Sequence, residues 1–412
     1  MMESRAYDKY SNLPAGWEVK KLKDVFYINE LALPANTPSD FQFRYIPIEK
    51  VSTNHIDYEN CEQFEFQDAP GRARRIIRQN DILISGVRPN LKSFAIFKKP
   101  DDKNWICSTG FFVLTAKQPE DNLISYYELL SEICGSQFYS LVVGTNYPAI
   151  GDSDIRNIRL ILPSSKERKI AIANLLSKVD EAIASVQNSI AAAERLKKSL
   201  MQNLLTGKMK PDGTFRTPDE FYIDEKFGKV PVGWEVKKIK HCFKFKNGKG
   251  NTTSNLKEIP SDEYCIPVYG GNGITGYYHQ ALLEKPTIIV GRVGEYCGNV
   301  FKTLEKSWVT DNAMLVSEVL MDSYNIDFFT MKMNSLKFKQ YGDTTGQPKI
   351  TQSSIGGILF AYPHDVKEQN MIALMILCVQ EFVEKQKRMR NTIERLKKSM
   401  MQNLLTKKIR IM

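Results

Sequence analysis

Two stretches of the chain repeat apolar residues at helical intervals. In the first, Ile172, Leu176, Val179, Ile183, Val186, Ile190 and Ala193 step alternately by four and three, the seam of a coiled coil. Glu, Lys and Arg crowd the other faces, and neither Pro nor Gly interrupts residues 166–206. The spacing predicts a rod of about 60 Å at ~1.5 Å per residue. Pro163, Ser164 and Ser165 supply a break and a cap before it, and Gly207 with Pro211 supplies the stop. A second seam, Ile372, Ile376, Val379 and Val383, passes through Gln386 and Arg390 to Ile393. It predicts a rod from near Asp365 to about Leu405, with polar residues at mid-seam that weaken it or set its register.

Ahead of each rod the pattern changes. Short apolar runs at 82–85, 95–97 and 111–114, and again at 266–269, 287–290 and 313–316, are punctuated by Gly, Pro and Asn. Such runs predict strands of compact α+β domains. Residues 208–229, polar and turn-rich, join the first rod to the second set of strands.

The chain also repeats itself. Residues 14–26 read PAGWEVKKLKDVF and residues 231–243 read PVGWEVKKIKHCF. Residues 194–208, ERLKKSLMQNLLTGK, match 394–408, ERLKKSMMQNLLTKK, at 13 of 15 positions, which marks an internal duplication. That offset extends upstream through Pro148 and Pro348, Ile150 and Ile350, Pro163 and Pro363, and Ile172 and Ile372. The order is variable, constant, variable, constant.

Composition narrows the class. At about 150 residues per domain, 412 residues predict two or three domains. The charge balance, 57 − 47 = +10, favours a polyanionic partner without demanding one. Seven scattered cysteines with no CxxC pair indicate a reducing cytoplasm and mostly buried thiols. The four histidines share no ligand spacing, so no structural metal is expected. The longest apolar run, 371–379, is nine residues against the ~20 that span a bilayer, so no membrane segment is expected.

Catalytic signatures are missing. Gly207-Lys208, Gly228-Lys229 and Gly248-Lys249 lack the phosphate-loop context. Gly271-Asn272-Gly273-Ile274-Thr275-Gly276 has dinucleotide-site spacing, but strand-like sequence follows where a helix must open, so a β-turn is expected. Pro100-Asp101-Asp102-Lys103 has no second carboxylate-bearing strand nearby and is expected to be a solvated turn. No Asn-Pro-Pro or Asp-Pro-Pro tetrad of adenine methyltransferases, no G-x-S-x-G and no H-E-x-x-H occurs. Covalent chemistry is not expected of this chain.

Binding features are stronger. Residues 71–99 carry Arg72, Arg74, Arg75, Arg78, Arg88, Lys92, Lys98 and Lys99 against one acid, Asp81. Residues 236–257 hold seven lysines and no acid, with Phe243 and Phe245 interleaved. Cations beside amides and aromatics suit phosphate contact plus base reading. Lys237, Lys238 and Lys240 copy Lys20, Lys21 and Lys23 of the constant motif and read as scaffold. The candidates for DNA contact are Arg72, Arg74, Arg75, Arg78, Arg88, Asn90, Lys92, Lys244, Lys246, Asn247, Lys249, Asn251, Arg292, Gln347 and Lys349.

Two divergent segments, each followed by a near-identical long helix, resemble the specificity (S) subunit of type I restriction-modification systems. The resemblance rests on P-x-GWEVKK at 14–21 and 231–238 and on ERLKKS-x-MQNLLT at 194–206 and 394–406. IPVYGGNGITGYY (266–278), GRVGEYCGNVF (291–301) and WVTDNAM (308–314) carry it further; in the first variable segment GVRPNLKSFAIF (86–97) stands where GRVG is expected. The resemblance implies an α+β chain of two globular α/β target-recognition domains separated by two long antiparallel coiled-coil helices, an internal pseudo-two-fold repeat. The implied boundaries are 1–163 and 230–363 for the recognition domains, 164–207 and 364–412 for the spacer helices, and 208–229 for the linker.

It further implies that each domain reads one half of an asymmetric split site in double-stranded DNA. The helices would set the spacing and dock two methyltransferase (M) subunits, which methylate adenine using S-adenosylmethionine. Nuclease-translocase (R) subunits would cleave with ATP and Mg²⁺; this chain itself would bind no cofactor. Two other readings stay open: a self-contained nuclease or methyltransferase, and a DNA-binding coiled-coil scaffold that does not discriminate sequence.

Overall fold

The computed structural model describes residues 13, 15–142, 149–250, 255–343 and 348–405. The chain divides into two units, Met1–Val186 with Met389–Met412, and Gln187–Arg388. In the first unit an antiparallel sheet takes the order Phe26–Ile28, Phe111–Ala116, Ile82–Ser85, Phe94–Ile96. A second sheet takes the order Gln63–Glu65, Gln42–Ile46, Trp105–Ser108, Ala73–Ile76, its two central strands parallel. Ile46, Trp105 and Cys107 of one sheet pack on Leu83, Ala95 and Val113 of the other. The outer face of the first sheet, Ile82, Ile84, Phe94 and Leu114, packs on the helices Pro119–Leu130 and Glu132–Val142. Ile82–Ser85 is buried throughout because both faces are covered, which is why it reads as an unbroken apolar run.

The second unit repeats this order. Its antiparallel sheet runs Phe243–Asn247, Ala313–Val319, Ile288–Gly291, Val300–Lys302, and beside it Ile266–Gly270 and Trp308–Val309 pair in parallel. The Gly-rich segment is a β-hairpin: Ile266–Gly270 turns through Gly271 and Asn272 into Gly273–Tyr278, with Gly273 at φ +93°. In the Pro100 turn, Asp101 accepts the Trp105 indole N–H at 2.8 Å, which holds its carboxyl below the usual range.

The duplicated GWEVKK has a mechanical use. Trp17–Lys21 pairs antiparallel with Arg159–Pro163, and Trp234–Lys238 with Leu359–Pro363, the strands that lead directly into the rods. The rods are single helices, Lys166–Leu204 (39 residues) and Val366–Leu405 (40 residues). In the first unit Ile172, Ala173 and Leu176 at the start of one rod pack with Met400, Met401, Leu404 and Leu405 at the end of the other. In the second unit Leu200, Leu204 and Leu205 pack with Ile372, Ala373 and Ile376. The rods are therefore antiparallel. Of the seam residues, Ile172, Leu176, Val186, Ile190, Ile372, Ile376 and Val383 are buried, while Val179, Ile183, Val379 and Ile393 are half-buried, as are Gln386 and Arg390.

Burying each such side chain contributes about 1.5–3 kcal/mol, whereas an exposed ion pair such as Lys387–Glu194 contributes at most ~1 kcal/mol. The seam carries the rods. One polar contact recurs in both units. Asp180 and Gln380 occupy the same repeat position, as do Lys197 and Lys397. In the first unit Lys397 pairs with Asp180, which also accepts the Tyr127 hydroxyl at 2.9 Å; burial and that carboxylate push the Tyr127 hydroxyl up. In the second, Lys197 donates to Gln380 at 3.1 Å.

The segment expected only to join the halves is packed. Phe221–Asp224 and Gly228–Pro231 form a hairpin, and Met209 and Val230 enter the core beside Trp234. Gly207 ends the first rod at φ +70°, where a Cβ would meet Pro231 at 2.3 Å. Arg216 donates to the Gly207 carbonyl at 2.9 Å and to Glu368 at 2.6 Å, while the buried Lys332 ammonium donates to the Leu205 carbonyl. These cations satisfy rod-end carbonyls and favour the negative end of the helix dipole. Cys61, Cys107, Cys134, Cys242 and Cys297 are buried; Cys265 and Cys378 are exposed. No helix among the described residues is long and apolar enough to cross a membrane.

Asp180→Ala leaves Lys397 and the Tyr127 hydroxyl without their acceptor and should cost about 1–3 kcal/mol, against less than ~1 kcal/mol for Gln380→Ala; urea unfolding of both variants compares them. Burial pulls Lys332 down to about 8, against ~10.4 unfolded. Between those values the unfolded chain holds the extra proton, so the Lys332 contribution to stability grows as pH rises. The difference in unfolding midpoint between the wild type and Lys332→Met should change over that window and stay flat below it.

Candidate nucleic-acid interface

In the second unit five loop segments converge at one end of the sheet. Lys249 follows Phe243–Asn247, and its N–H donates to the Val309 carbonyl at 2.9 Å. Its ammonium lies 5.8 Å from the Trp308 ring, whose indole N–H returns to the Lys249 carbonyl at 3.0 Å. Gly271 of the hairpin lies against the carbonyls of Val293 and Asn312. Arg292 leaves Ile288–Gly291 with its guanidinium on the Asp311 carbonyl at 2.8 Å and its N–H on the Asn312 carbonyl at 2.8 Å. Ile350 donates to the Arg292 carbonyl at 2.7 Å, and Lys349 bridges to Val293. Lys249, Arg292 and Lys349 thus rim a surface that also carries the amides of Asn272 and Asn312. Cations with amide neighbours suit contact with phosphate and base edges.

Lys246 and Asn247 are exposed and lead toward this rim. Lys244 sits at the far end of the same strand, where it pairs with Glu318 at 2.8 Å. Asn251 and Gln347 lie outside the described residues.

The first unit builds the same loop end from different residues. Gly86 donates to the Gly110 carbonyl at 2.8 Å and accepts from Ile150 at 3.0 Å, and Val87 bridges to Ala149. These are the bonds of Arg292 and Val293, so Gly86 occupies the place of Arg292, and Arg88 that of Gly294. This two-position shift of the arginine is why GVRPNLKSFAIF stands where GRVG is expected.

Arg72 is exposed, and its carbonyl takes the Thr109 N–H at 2.8 Å, next to the Gly110 turn; Arg88 and Asn90, also exposed, follow Gly86. Arg74 and Arg75 are half-buried on Ala73–Ile76, Arg74 at 4.7 Å from the Phe66 ring and Arg75 across from Cys107. Arg78 pairs with Glu30 at 3.3 Å beyond the strand. Lys92 points inward: its ammonium donates to the carbonyls of Leu130 and Ser131 at 2.6 and 2.9 Å, and burial lowers its pKa. It caps a helix end, so its charge is spent on the fold. Its run of basic neighbours in sequence concealed that.

The family described as the type I restriction modification DNA specificity domain matches residues 14–195 and 231–395. The chain belongs to that family. Its role there is DNA recognition. The putative type I restriction enzyme MjaX specificity subunit of Methanocaldococcus jannaschii is 23% identical over 424 residues, covering 97% of this chain and 95% of that protein. The EcoprrI specificity subunit of Escherichia coli is 26% identical over 158 residues, 38% of this chain and 39% of that protein. The crystal structure of the type I S subunit from M. genitalium shares the fold, with a TM-score of 0.62 at 18% identity over 96% of this chain and 97% of that one. The two matched segments of this specificity chain end within the two rods, so each family repeat holds one variable domain and most of one rod.

Phosphate contact is tested through salt. Lys246→Ala and Lys249→Ala should each weaken DNA binding by the assembled enzyme and reduce the slope of log affinity against log salt by about 1. Lys244→Ala, already paired with Glu318, should leave both unchanged.

Proposed function

We propose that the two units of this specificity chain each read one half of an asymmetric, split site in double-stranded DNA. The observation that carries the reading is the loop end built twice on one backbone pattern with unlike side chains, Arg292 in one unit and Gly86 in the other. Equal scaffolds with unequal reading groups give unequal half-sites. The rods, each ~60 Å long by helix geometry, set the gap between them, and half-sites about one helical turn apart present on the same face of B-DNA.

The chemistry belongs to partners in this reading. Two methyltransferase subunits dock on the rods and methylate adenine with S-adenosylmethionine; nuclease-translocase subunits cleave with ATP and Mg²⁺. Among the described residues no three His, Cys, Asp or Glu side chains converge as metal ligands, and the Gly-rich segment closes a hairpin rather than opening a helix. Among the described residues neither feature supplies a metal or dinucleotide site. A mostly apolar groove of about 490 Å³ between the rods of the second unit, lined by Ser189, Ala192, Ala193, Leu196, Cys378, Val379 and Phe382, supports partner docking there. Leu196 is 50% and Phe382 45% exposed, which a helix face facing only water would not favour.

Exchanging residues 27–163 for the matching segment of a relative tests the reading. Methylation mapping of host DNA should show one half-site replaced and the other kept. Retention of both original half-sites, or methylation indifferent to sequence, overturns it.

A further inference from the structure

Each unit carries a five-residue turn at the loop end just described. Residues 88–92 begin and finish in the left-handed region, Arg88 at φ +48° and Lys92 at φ +52°. Residues 294–298 do the same with Gly294 at φ +83° and Gly298 at φ +88°. In both, the fourth N–H returns to the first carbonyl: Leu91 to Arg88 at 3.0 Å and Cys297 to Gly294 at 3.1 Å. The second unit meets this geometry with glycine. The first keeps it with Arg and Lys, at a steric cost that glycine would not carry. Non-glycine residues persist in that region only where the surroundings over-determine them, and such positions cluster at functional sites.

The surroundings do over-determine it. Pro89 is buried, Lys92 is tied through its ammonium to two helix-end carbonyls, and its own carbonyl takes the Thr53 hydroxyl at 2.7 Å. In the second unit Lys339 donates to the Glu295 carbonyl at 2.9 Å, and Gly298 is packed so closely that a Cβ would lie 2.5 Å from the Lys339 nitrogen. Each turn is held in place by these contacts, and each exposes one large aliphatic or aromatic side chain: Leu91 is 62% exposed and Tyr296 46% exposed. Neither exposure helps the chain fold.

We propose that these turns are rigid tips that press Leu91 and Tyr296 onto base edges or between base steps of the two DNA half-sites. The proposal rests on the DNA-recognition reading above. It adds a kind of contact that the basic residues cannot make. Phosphate-bound Lys and Arg position a protein without reading sequence, whereas an apolar group meets a thymine methyl or wedges an easily unstacked step. A tip that moved freely would lose this discrimination, which accounts for the bracing. Arg88 and Asn90 in one turn, and Arg292 beside the other, supply polar neighbours for the same groove.

The test uses the enzyme assembled with its partner subunits and two duplexes, one bearing the sequence found methylated in the host genome and one scrambled. Leu91→Ala and Tyr296→Ala should each lower affinity for the target duplex about tenfold, leave the scrambled duplex unchanged, and leave the salt slope unchanged. Each should relax discrimination in a different half-site, and Leu91→Met should restore most of the binding lost in Leu91→Ala. Thermal melting identical to wild type establishes that the fold is intact; melting lowered in Leu91→Ala but not in Leu91→Met assigns Leu91 to packing and overturns the proposal. Target binding equal to wild type in both alanine variants overturns it too, as does an equal loss on both duplexes. A wild-type enzyme that fails to distinguish the two duplexes overturns the recognition reading itself, and the tips with it.

Discussion

Each rod finishes in the core that the other rod begins. Leu404 and Leu405 of the second rod are buried with Ile172 and Leu176 of the first, and Leu200, Leu204 and Leu205 of the first with Ile372 and Ile376 of the second. This antiparallel exchange of apolar ends is the constraint on which the rest depends. Neither unit has a complete core until the distant rod end arrives, so the ordering of each recognition surface is coupled to rod pairing. The paired strands ahead of each rod transmit that constraint. Trp234 shows how: it pairs with the strand entering the second rod, donates to Glu368 at 3.1 Å, and lies beside the Arg216 and Lys332 cations at the end of the first.

Duplication followed by divergence explains the distribution of chemistry. What repeats is what bears load: the GWEVKK strand, the helix ends and the seam. What diverges is what faces outward at the loop end, where the backbone bonds stay the same and the side chains differ. Even the polar contact between the rods has diverged, from an ion pair at Asp180 and Lys397 to an amide at Gln380 and Lys197. A neutral partner in one half and a charged one in the other leaves the register intact, because buried apolar residues on either side decide it.

Charge in sequence is a poor guide to charge on a surface. Lys92, Arg78 and Lys244 sit in the same basic stretches as Arg72 and Lys249, yet the first caps a helix and the others pair with Glu30 and Glu318. Proximity along the chain says nothing about whether a carboxylate or a helix end will be folded against a cation. Leu91 and Tyr296 went unnoticed for the converse reason. A single apolar residue in a loop carries no periodic signal, and only exposure together with backbone geometry distinguishes it.

The amino-acid pattern alone determined the two rods, their duplication, the alternation of variable and constant segments and the family, because helical periodicity and repeated words are local properties that survive without knowledge of contacts. It also determined that the Gly-rich segment is a turn, since strand-like residues follow it. Tertiary structure alone decided that the joining segment packs into a core, that Gly86 rather than Arg88 stands in the place of Arg292, and which cations face outward. Those outcomes depend on backbone bonds between residues tens of positions apart, such as Gly86 with Gly110 and Ile150. No local pattern encodes such a pairing, because its free energy belongs to the assembled sheet and not to either strand.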